Sequence, residues 1–253
     1  MKIIHTADLH IDSKMETNLD RTQAGQRRSE LLDTFERMVA FADENGVRVI
    51  LIAGDLFDKP HIRKNAKRRV LEQITGHPGI DFVYLRGNHD NSDFLSDLDP
   101  SEIPSNLKLF SDDKWTSYVY GSVVITGREI TDENCKMLPV NLILDQADFN
   151  IVTLHGQETN YVGKDRTQII HIPEFKNKNI DYLALGHIHS YKCDRLDDRG
   201  EYCYAGCPEG RGFDECGQKG FVLLNIDEEN KELYHEFIPF AKRILHEITV
   251  EVT

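Results

Sequence analysis

Five short apolar segments of this chain each end in a small cluster of polar residues and glycine. The clusters are Asp8-Leu9-His10, Gly54-Asp55, Gly87-Asn88-His89-Asp90, His155-Gly156 and Gly186-His187-Ile188-His189. A continuous apolar run such as Val47–Ala53 is typical of a strand that is covered on both faces. Because ligands bind at the carboxyl ends of strands in open α/β sheets, we expect the five clusters to converge in space.

The first half of the chain alternates strand and helix patterns. Lys2–Thr6, Val47–Ala53 and Ile80–Leu85 are strand candidates, and the helix candidates Arg27–Asn45 and Lys64–Thr75 lie between them. This βαβαβ order predicts a layered α/β fold with right-handed crossovers.

The second half of the chain is richer in strands. No repeat, low-complexity tract or linker interrupts it, so we predict a single domain over residues 1–253. We expect an α/β fold in which two mixed sheets pack together and are flanked by helices. The predicted strands are Lys108–Phe110, Thr116–Tyr120, Val123–Thr126, Asn150–Leu154, Asp181–Leu185, Tyr202–Ala205, Phe221–Ile226, Leu233–Ile238 and Leu245–Val252, with one helix at Pro139–Gln146.

The chain is acidic, with 43 acidic and 30 basic residues and a net charge of −13. Proteins that hold nucleic acid by bulk electrostatics are usually basic, so this balance counts against DNA binding by the chain alone, although bound divalent cations would add positive charge at a site. No apolar run approaches the roughly 20 residues that cross a bilayer. The N-terminus lacks the pattern of a secretory leader. We therefore expect a cytoplasmic protein without membrane contact.

The five cysteines predict reduced thiols rather than a zinc site. Four of them fall between Cys193 and Cys216. Only Cys203 and Cys207 have the spacing of a zinc-binding pair, and the sequence has no second pair of cysteines with that spacing. Thiols in a cytoplasmic protein are normally free.

The ligand types in the five clusters predict a centre of two metal ions. In Asp8-x-His10 and His187-x-His189 the spacing of two places both side chains on the same side of an extended backbone. Imidazole nitrogens, carboxylate oxygens and one amide oxygen, without a thiolate, favour Mn²⁺, Fe or Zn²⁺ over Ca²⁺. Two ions about 3.5–4 Å apart that share a carboxylate can clamp the attacking and leaving oxygens at phosphorus. The candidate ligands are Asp8, His10, Asp55, Asn88, His155, His187 and His189.

These motifs, in this order, resemble those of the calcineurin-like metallophosphoesterase superfamily. Gly54-Asp55-Leu56-Phe57-Asp58 is similar to the form in SbcD-type nucleases of DNA double-strand-break repair. The Ser/Thr protein phosphatases carry Arg-Gly where this chain has Lys59-Pro60. A late segment, Tyr204–Pro208 followed by Phe213–Glu215, is also similar to those nucleases, except that Cys207 stands where relatives usually have serine.

The resemblance implies a four-layer α-β-β-α sandwich and a role for each candidate. One metal would take Asp8, His10, Asp55 and His189, and the other would take Asp55, Asn88, His155 and His187, so that Asp55 bridges them. Mn²⁺ is the expected metal, with Fe or Zn²⁺ left open. His89 would donate a proton to the leaving alkoxide, and Asp90 would hold His89 in the right tautomer. A loop cap is the alternative role for Asp90.

A basic segment follows the predicted bridging residue. Lys59–Arg69 contains six basic residues and no acid. It predicts contacts with a nucleic-acid backbone through Arg63, Lys64, Lys67 and Arg68, and a solvated helix face is the alternative.

We therefore expect a metal-dependent phosphodiesterase of the SbcD type, an exonuclease or endonuclease acting on DNA in repair. The resemblance implies a separate SbcC-type ATPase as partner, because the chain has no Walker A sequence, and it leaves a homodimer open. SbcD-type nucleases generally continue into a capping domain, which the strand predicted from about residue 243 would begin. The alternatives are a stand-alone phosphodiesterase for nucleotides or other small phosphoesters, and a non-enzymatic metal-binding scaffold.

Overall fold

The computed structural model describes residues 1–15, 19–58, 62–90, 94–96, 98–159 and 168–250, which carry all the elements named below. The elements are β1 (Lys2–Thr6), α1 (Arg21–Glu44), β2 (Val49–Ala53), α2 (Lys64–Gly76), β3 (Asp81–Leu85), β4 (Leu107–Leu109), β5 (Thr116–Tyr120), β6 (Val123–Gly127), α3 (Leu138–Asn141), β7 (Phe149–His155), β8 (Gln157–Glu158), β9 (Ile169–Ile170), β10 (Tyr182–Gly186), β11 (Lys192–Arg195), β12 (Glu201–Tyr204), β13 (Gly220–Asp227) and β14 (Glu232–Pro239).

Two six-stranded mixed sheets form the centre of the molecule. Sheet I has the order β14-β13-β1-β2-β3-β4, and sheet II has the order β11-β12-β10-β7-β6-β5. One apolar cluster contains Val49 and Leu51 of sheet I together with Phe149 and Ile151 of sheet II. The two sheets therefore pack face to face, which confirms the predicted architecture.

The opposite face of sheet I is covered by the two long helices. Ile50 and Ile52 of β2 point to this side and pack with Phe35 of α1 and Val70 of α2 in a second apolar cluster. Neighbouring residues of one strand thus serve two different cores, because side chains alternate across a sheet. This explains the unbroken apolar run that the sequence shows at β2.

Helix α1 begins six residues before the predicted start at Arg27. Asp20 caps it by accepting hydrogen bonds from the backbone N–H groups of Thr22 and Gln23, both at 2.8 Å, and the side chain of Gln23 accepts from Asp20 N at 3.1 Å. This capping box supplies partners for N–H groups that the first helical turn leaves unpaired.

Two sequence predictions at the periphery are wrong. The helix predicted over Pro139–Gln146 is a single turn, Leu138–Asn141, after a 3₁₀ turn at Cys135–Met137, so the layer outside sheet II is thin. The strand predicted over Leu245–Val252 is not formed up to residue 250; Leu245 makes one isolated bridge with Gly217. The capping domain remains a prediction.

Five parallel strands bring their carboxyl ends to one edge of the sandwich. β1, β2 and β3 are parallel neighbours in sheet I, and β7 and β10 are parallel neighbours in sheet II. The ends of β2 and β7 meet across the two sheets, where Nδ1 of His155 lies 2.8 Å from the carbonyl oxygen of Ala53. Among the described helices, none has the length and apolar character to cross a membrane.

Candidate two-metal active site

In the loops that follow β1, β2 and β10, residues with polar side chains adopt left-handed backbone conformations. Asp8, His10, Asp55 and His187 have φ angles of 53°, 44°, 54° and 97°. Such conformations cost non-glycine residues roughly 1–3 kcal/mol each and cluster at functional sites. The expectation that Asp8 and His10, and likewise His187 and His189, lie on an extended backbone is therefore wrong, because β1 ends at Thr6 and β10 ends at Gly186.

Hydrogen bonds hold this strained backbone in place. Asp8 N donates to the carbonyl oxygen of Gly54 at 3.0 Å, and His10 N donates to that of Asp55 at 2.9 Å. His187 N donates to both carboxylate oxygens of Asp8, at 3.1 and 3.0 Å. The loops from the two sheets are thus tied together before any side chain is considered as a ligand.

Glycine is required where the loops approach one another most closely. Gly54 has φ +94°, and a Cβ atom at this position would lie 2.0 Å from Nδ1 of His155. A Cβ at Gly87 would lie 2.2 Å from Oδ1 of Asp55. Any side chain at either position would displace one of the candidate ligands.

The first group of candidate ligands is Asp8, His10 and His189, with Asp55 beside them. Nε2 of His10 lies 3.2 Å from Nε2 of His189, and Nε2 of His189 lies 3.8 Å from Oδ1 of Asp8. Oδ2 of Asp55 lies 3.6 Å from Nε2 of His10.

The second group lies on the other side of the same carboxylate. Oδ2 of Asp55 is 3.3 Å from Nε2 of His155. Oδ1 of Asn88 lies 3.0 Å from that same nitrogen and 3.1 Å from Nδ1 of His187. The structure thus brings all seven predicted ligands together, with one oxygen of Asp55 between the two groups.

These separations fit metal ions. Ligand atoms about 2.1 Å from one ion lie about 3.0–4.2 Å from one another. Three of the atoms that converge, Oδ2 of Asp55, Oδ1 of Asn88 and a carboxylate oxygen of Asp8, are acceptors, and buried acceptors are stable together only around protons or cations. Burial raises the pKa of the Asp8 carboxyl. Burial acts in the same direction on Asp55, but the imidazoles of His155, His10 and His89 together outweigh it and hold the pKa of Asp55 well below its usual range.

Two of the imidazoles have outer partners that set which ring nitrogen is free to bind. Nδ1 of His155 faces the carbonyl oxygen of Ala53 at 2.8 Å, so that Nε2 points to Asp55. Nδ1 of His189 lies 2.5 Å from Oε1 of Glu215, which leaves its Nε2 toward His10. Carboxylate or carbonyl partners of this kind are usual for metal-bound histidines.

His89 takes its partner from a different loop than expected. Its Nδ1 lies 3.1 Å from Oδ1 of Asp58, a contact that raises the pKa of His89. Asp90 instead accepts hydrogen bonds from the backbone N–H groups of Phe57 at 2.8 Å, Gly87 at 2.9 Å and Leu56 at 3.3 Å. The prediction that Asp90 orients His89 is therefore wrong, because the Asp90 carboxylate is used to fasten two loops.

Comparison of the sequence with known protein families agrees with the geometry of the candidate site. The family model for calcineurin-like phosphoesterases matches residues 1–191. The chain belongs to the calcineurin-like phosphoesterase family. Membership places it among the hydrolases, and the family together with the clustered ligands supports a centre of two divalent metals.

Proteins similar to this chain include two that are named for DNA repair. The DNA double-strand break repair protein Mre11 of Methanopyrus kandleri is 24% identical over 90% of this chain and 54% of its own length. Mre11 of Sulfurisphaera tokodaii is 28% identical over 89% of this chain and 59% of its own length. The uncharacterized metallophosphoesterase YhaO of Bacillus subtilis is 25% identical over the whole chain and 64% of its own length. The chain thus spans between about half and two thirds of these relatives.

Solved structures of low sequence identity share the fold. TT1561 of Thermus thermophilus superposes with a TM-score of 0.55 at 14% identity, covering 93% of this chain and 97% of the other. A dimetal phosphatase from Danio rerio gives the same TM-score at 12% identity, covering 88% and 92%. At these identities the likeness establishes the sandwich fold of the phosphoesterase family and nothing finer.

Sequence reasoning gives no individual role to Asp58 or Glu215, and it treats Arg211-Gly212-Phe213 as a candidate substrate-facing loop, with a structural turn as the alternative. Asp58 and Glu215 contact His89 and His189 as described above. Arg211 lies between them, with Nη1 at 3.6 Å from Oδ2 of Asp58 and Nη2 at 3.4 Å from Oε1 of Glu215. Asp58 and Glu215 stand in the segments that carried the family resemblance, which was their only signal, and nothing in the sequence connected Arg211 with Asp58.

The basic residues of α2 are largely engaged by nearby acids. Arg63 pairs with Asp12 at 2.8 Å, and Arg68 pairs with Glu72 at 2.5 Å. Lys64 begins the helix and is exposed. Lys59, Pro60 and His61 lie outside the described residues. The predicted nucleic-acid contacts of Arg63, Lys64, Lys67 and Arg68 therefore stay a prediction.

Proposed function

We propose that this chain is a two-metal-dependent phosphodiesterase that cleaves DNA, as an exonuclease or endonuclease of the SbcD type. The observation that carries the proposal is the position of Asp55. Its Oδ2 lies 3.6 Å from Nε2 of His10 and 3.3 Å from Nε2 of His155, between the two groups of candidate ligands. A shared carboxylate is what two ions about 3.5–4 Å apart require, and this is the arrangement that serves in-line displacement at phosphorus.

DNA is proposed as the substrate because of the relatives. Two Mre11 proteins, named for DNA double-strand break repair, align with 90% and 89% of the chain. The protein-phosphatase sequence is replaced at Lys59-Pro60. These points favour a phosphodiester over a phosphoprotein.

Seven residues would hold the ions. When bound, the ions would neutralise the phosphate and supply a water of lowered pKa as nucleophile. Mn²⁺ is the proposed metal because the donors are nitrogen and oxygen atoms without a thiolate, and Fe or Zn²⁺ would fit the same donors. The proposed ligands are Asp8, His10, Asp55, Asn88, His155, His187 and His189.

His89 is proposed as the group that protonates the leaving alkoxide. Its ring lies edge-on to that of His10, with ring centroids 4.9 Å apart, and its backbone N–H group donates to Oδ1 of Asp55 at 2.8 Å. Asp58 raises the pKa of His89, which keeps a larger fraction of the imidazole protonated near neutral pH. The guanidinium of Arg211 beside Asp58 adds a fixed positive charge for the phosphate oxygens.

A phosphodiesterase for nucleotides or other small phosphoesters is the second candidate. One observation favours it: Arg63, Arg68 and Arg69 of the basic segment pair with Asp12, Glu72 and Glu36 on the protein itself. Cations paired in this way contribute less to the field that attracts a DNA backbone. A separate SbcC-type ATPase and a cytoplasmic location are proposed together with the DNA substrate.

The experiment compares Mn²⁺-dependent hydrolysis of linear double-stranded DNA, single-stranded DNA and bis-p-nitrophenyl phosphate by the wild type and by Asp55→Asn. We expect the wild type to cleave DNA and the small ester, and Asp55→Asn to cleave neither. Cleavage of the small ester alone would favour the second candidate. Inactivity on all three substrates, with two metals bound per chain, would favour the non-enzymatic scaffold.

The basic segment is tested by salt dependence. Neutralising Arg63, Lys64, Lys67 and Arg68 is expected to flatten the slope of log affinity for DNA against log salt by up to about 3–4 units, since each phosphate contact contributes roughly 0.9. The matched control neutralises four other cations, Lys114, Lys136, Lys176 and Lys178, and should leave the slope unchanged. An equal slope in both variants would remove the basic segment from the DNA interface.

A further inference from the structure

Three metal-binding side chains come together at an edge of the sandwich, on strands that carry none of the candidate active-site ligands. They are Cys193 of β11, Glu201 of β12 and His235 of β14, and one donor atom from each lies within 4.8 Å of the other two. The candidate active-site residues lie at the end of β7 and in the loops after β1, β2, β3 and β10. The edge cluster is therefore a separate group of ligands.

The cluster lies where the two sheets have their edge strands. β14 is the outermost strand of sheet I, and β11 and β12 are the last two strands of sheet II. On β14, Leu233 and Phe237 pack into the core between the sheets, so His235 points to the same side. On β12, Glu201 and Cys203 share a face for the same reason, and Cys203 is part of that core. The side chains therefore meet across the gap between the sheets.

The contacts at this place are close and mostly polar. Nδ1 of His235 lies 2.5 Å from Oε1 of Glu201, and Nε2 of His235 lies 3.4 Å from the hydroxyl of Tyr191. The ring of Tyr191 stacks on Phe237 with centroids 4.6 Å apart. A ring whose Nε2 faces a hydroxyl can offer Nδ1 to a metal, which is the usual division of roles in a metal-bound histidine.

The sulfur of Cys193 suits a metal ligand. Cys193 is directly opposite Cys203 in the antiparallel pairing of β11 and β12. Binding of a metal ion by this cysteine would release the thiol proton, because the thiolate is the form that binds metals.

We propose that Cys193, Glu201 and His235 bind one Zn²⁺ ion that fastens the edges of the two sheets to each other. Thiolate, carboxylate and imidazole are the donors that Zn²⁺ takes in proteins, at about 2.0–2.3 Å, which places tetrahedral ligands about 3.3–3.8 Å apart. The donor atoms of the present cluster lie within 4.8 Å of one another, so zinc binding requires an approach of about 1 Å. A cleft of about 650 Å³, lined by Tyr191, Cys193, Glu201 and His235 among others, gives the ion an entry path and a water as fourth ligand.

The sequence does not reveal this site because its three ligands do not occur at a spacing that is typical of metal-binding motifs. Among the cysteines, only Cys203 and Cys207 have zinc-like spacing. Cys207 is instead buried beneath the active site, with Sγ 3.5 Å from the carbonyl oxygen of His189. Pairing of β11 with β12 brings Glu201 to Cys193, and His235 comes from the other sheet.

The test uses Co²⁺ as a spectroscopic substitute for Zn²⁺. The proposed active-site ligands include no thiolate, so a sulfur-to-cobalt charge-transfer band in the near ultraviolet reports the edge site alone. With all sites loaded with Co²⁺, we expect a band of the intensity of one cobalt–thiolate bond per chain, which should vanish in Cys193→Ser and weaken in His235→Gln and Glu201→Gln. Cys135→Ser, which removes a thiol from another part of the chain, should keep the band. Absence of the band in the wild type, or its survival in Cys193→Ser, would overturn the proposal.

A second measurement needs no variant and so does not depend on the folding of one. Zn²⁺ should slow alkylation of Cys193 by iodoacetamide by about tenfold or more while Cys135 reacts at an unchanged rate, because a metal-bound thiolate is a poor nucleophile. Equal alkylation with and without Zn²⁺, or a Cys193–Cys203 disulfide in protein purified without oxidant, would contradict the metal site. Neither result depends on phosphodiesterase activity.

Discussion

Oδ1 of Asp58 lies 3.1 Å from Nδ1 of His89, although the two residues are 31 positions apart along the chain. Asp90, the direct neighbour of His89 in sequence, turns its carboxylate toward three backbone N–H groups instead. The two aspartates thus have different tasks, one acting on the proposed proton donor and the other on the loops that carry it.

Substitution of His89 and Asp58 tests the proposed proton donor. His89→Asn should lower kcat by about a hundredfold or more, the usual contribution of a general acid, while two metals remain bound. Asp58→Asn should lower kcat by about tenfold, because His89 stays in place but loses the partner that raises its pKa. Asp113→Asn, on an exposed loop, serves as the control. Normal turnover of His89→Asn would show that the assigned role is wrong.

Asp90→Asn should act on stability more than on chemistry. The carboxylate accepts from Phe57, Gly87 and Leu56, and an amide in its place would leave a buried backbone donor without a partner. The expected loss is about 2 kcal/mol in the free energy of unfolding, measured by urea titration. A variant with unchanged stability and a hundredfold loss of turnover would restore Asp90 to the catalytic group.

Gly54→Ala should abolish metal binding at the site. The new Cβ would lie 2.0 Å from Nδ1 of His155, in a backbone conformation with φ +94° that disfavours alanine. Gly79→Ala is the matched control, since a Cβ there meets nothing within 4 Å. Metal content by mass spectrometry and activity on the small ester should fall for the first variant alone. Two bound metals in Gly54→Ala would mean that the loops relax far more easily than this packing indicates.

Glu215→Gln should weaken metal binding without removing a ligand. Oε1 of Glu215 lies 2.5 Å from Nδ1 of His189, and loss of such an outer carboxylate typically weakens metal affinity by about 10–100-fold. Its neighbour Asp214 is exposed, so Asp214→Asn provides the control. Metal titration followed by isothermal calorimetry measures the difference. An unchanged affinity in Glu215→Gln would make the contact with His189 incidental.

Because of His5, we predict that the free energy of unfolding falls when the pH is lowered. It is buried between the sheets with Nδ1 2.9 Å from the hydroxyl of Tyr182, and burial lowers its pKa to about 3. The unfolded chain binds this proton near pH 6.5 and the folded chain does not, so stability is complete above pH 6.5 and falls as the pH drops toward 3. The expected slope is about 1.4 kcal/mol per pH unit from this residue.

His5→Asn removes the titration but keeps a polar atom toward Tyr182. Between about pH 6.5 and pH 5 the wild type should therefore lose about 2 kcal/mol more than the variant in urea unfolding. Parallel pH profiles for the two proteins would indicate that His5 is protonated in the folded state.

Most of the fold could be predicted from the sequence because local patterns agree with the tertiary structure there. β5 has the predicted bounds, Thr116–Tyr120, and the α1 residues Phe35 and Met38 are buried as their spacing indicates. Errors fall where local pattern and packing differ. The helix predicted over Pro139–Gln146 forms a single turn.

The amino-acid sequence by itself determined the ligand types, their order along the chain and their placement after strands. It did so because each cluster is a local feature: an apolar run, a glycine and one or two donors. The tertiary structure alone decided which carboxylate lies within hydrogen-bond distance of which imidazole. Asp58 reaches His89, Glu215 reaches His189 and Glu201 reaches His235 through loop crossings and sheet packing. Such pairs depend on backbone positions that the packing of the whole core fixes, so the spacing of residues along the chain does not reveal them.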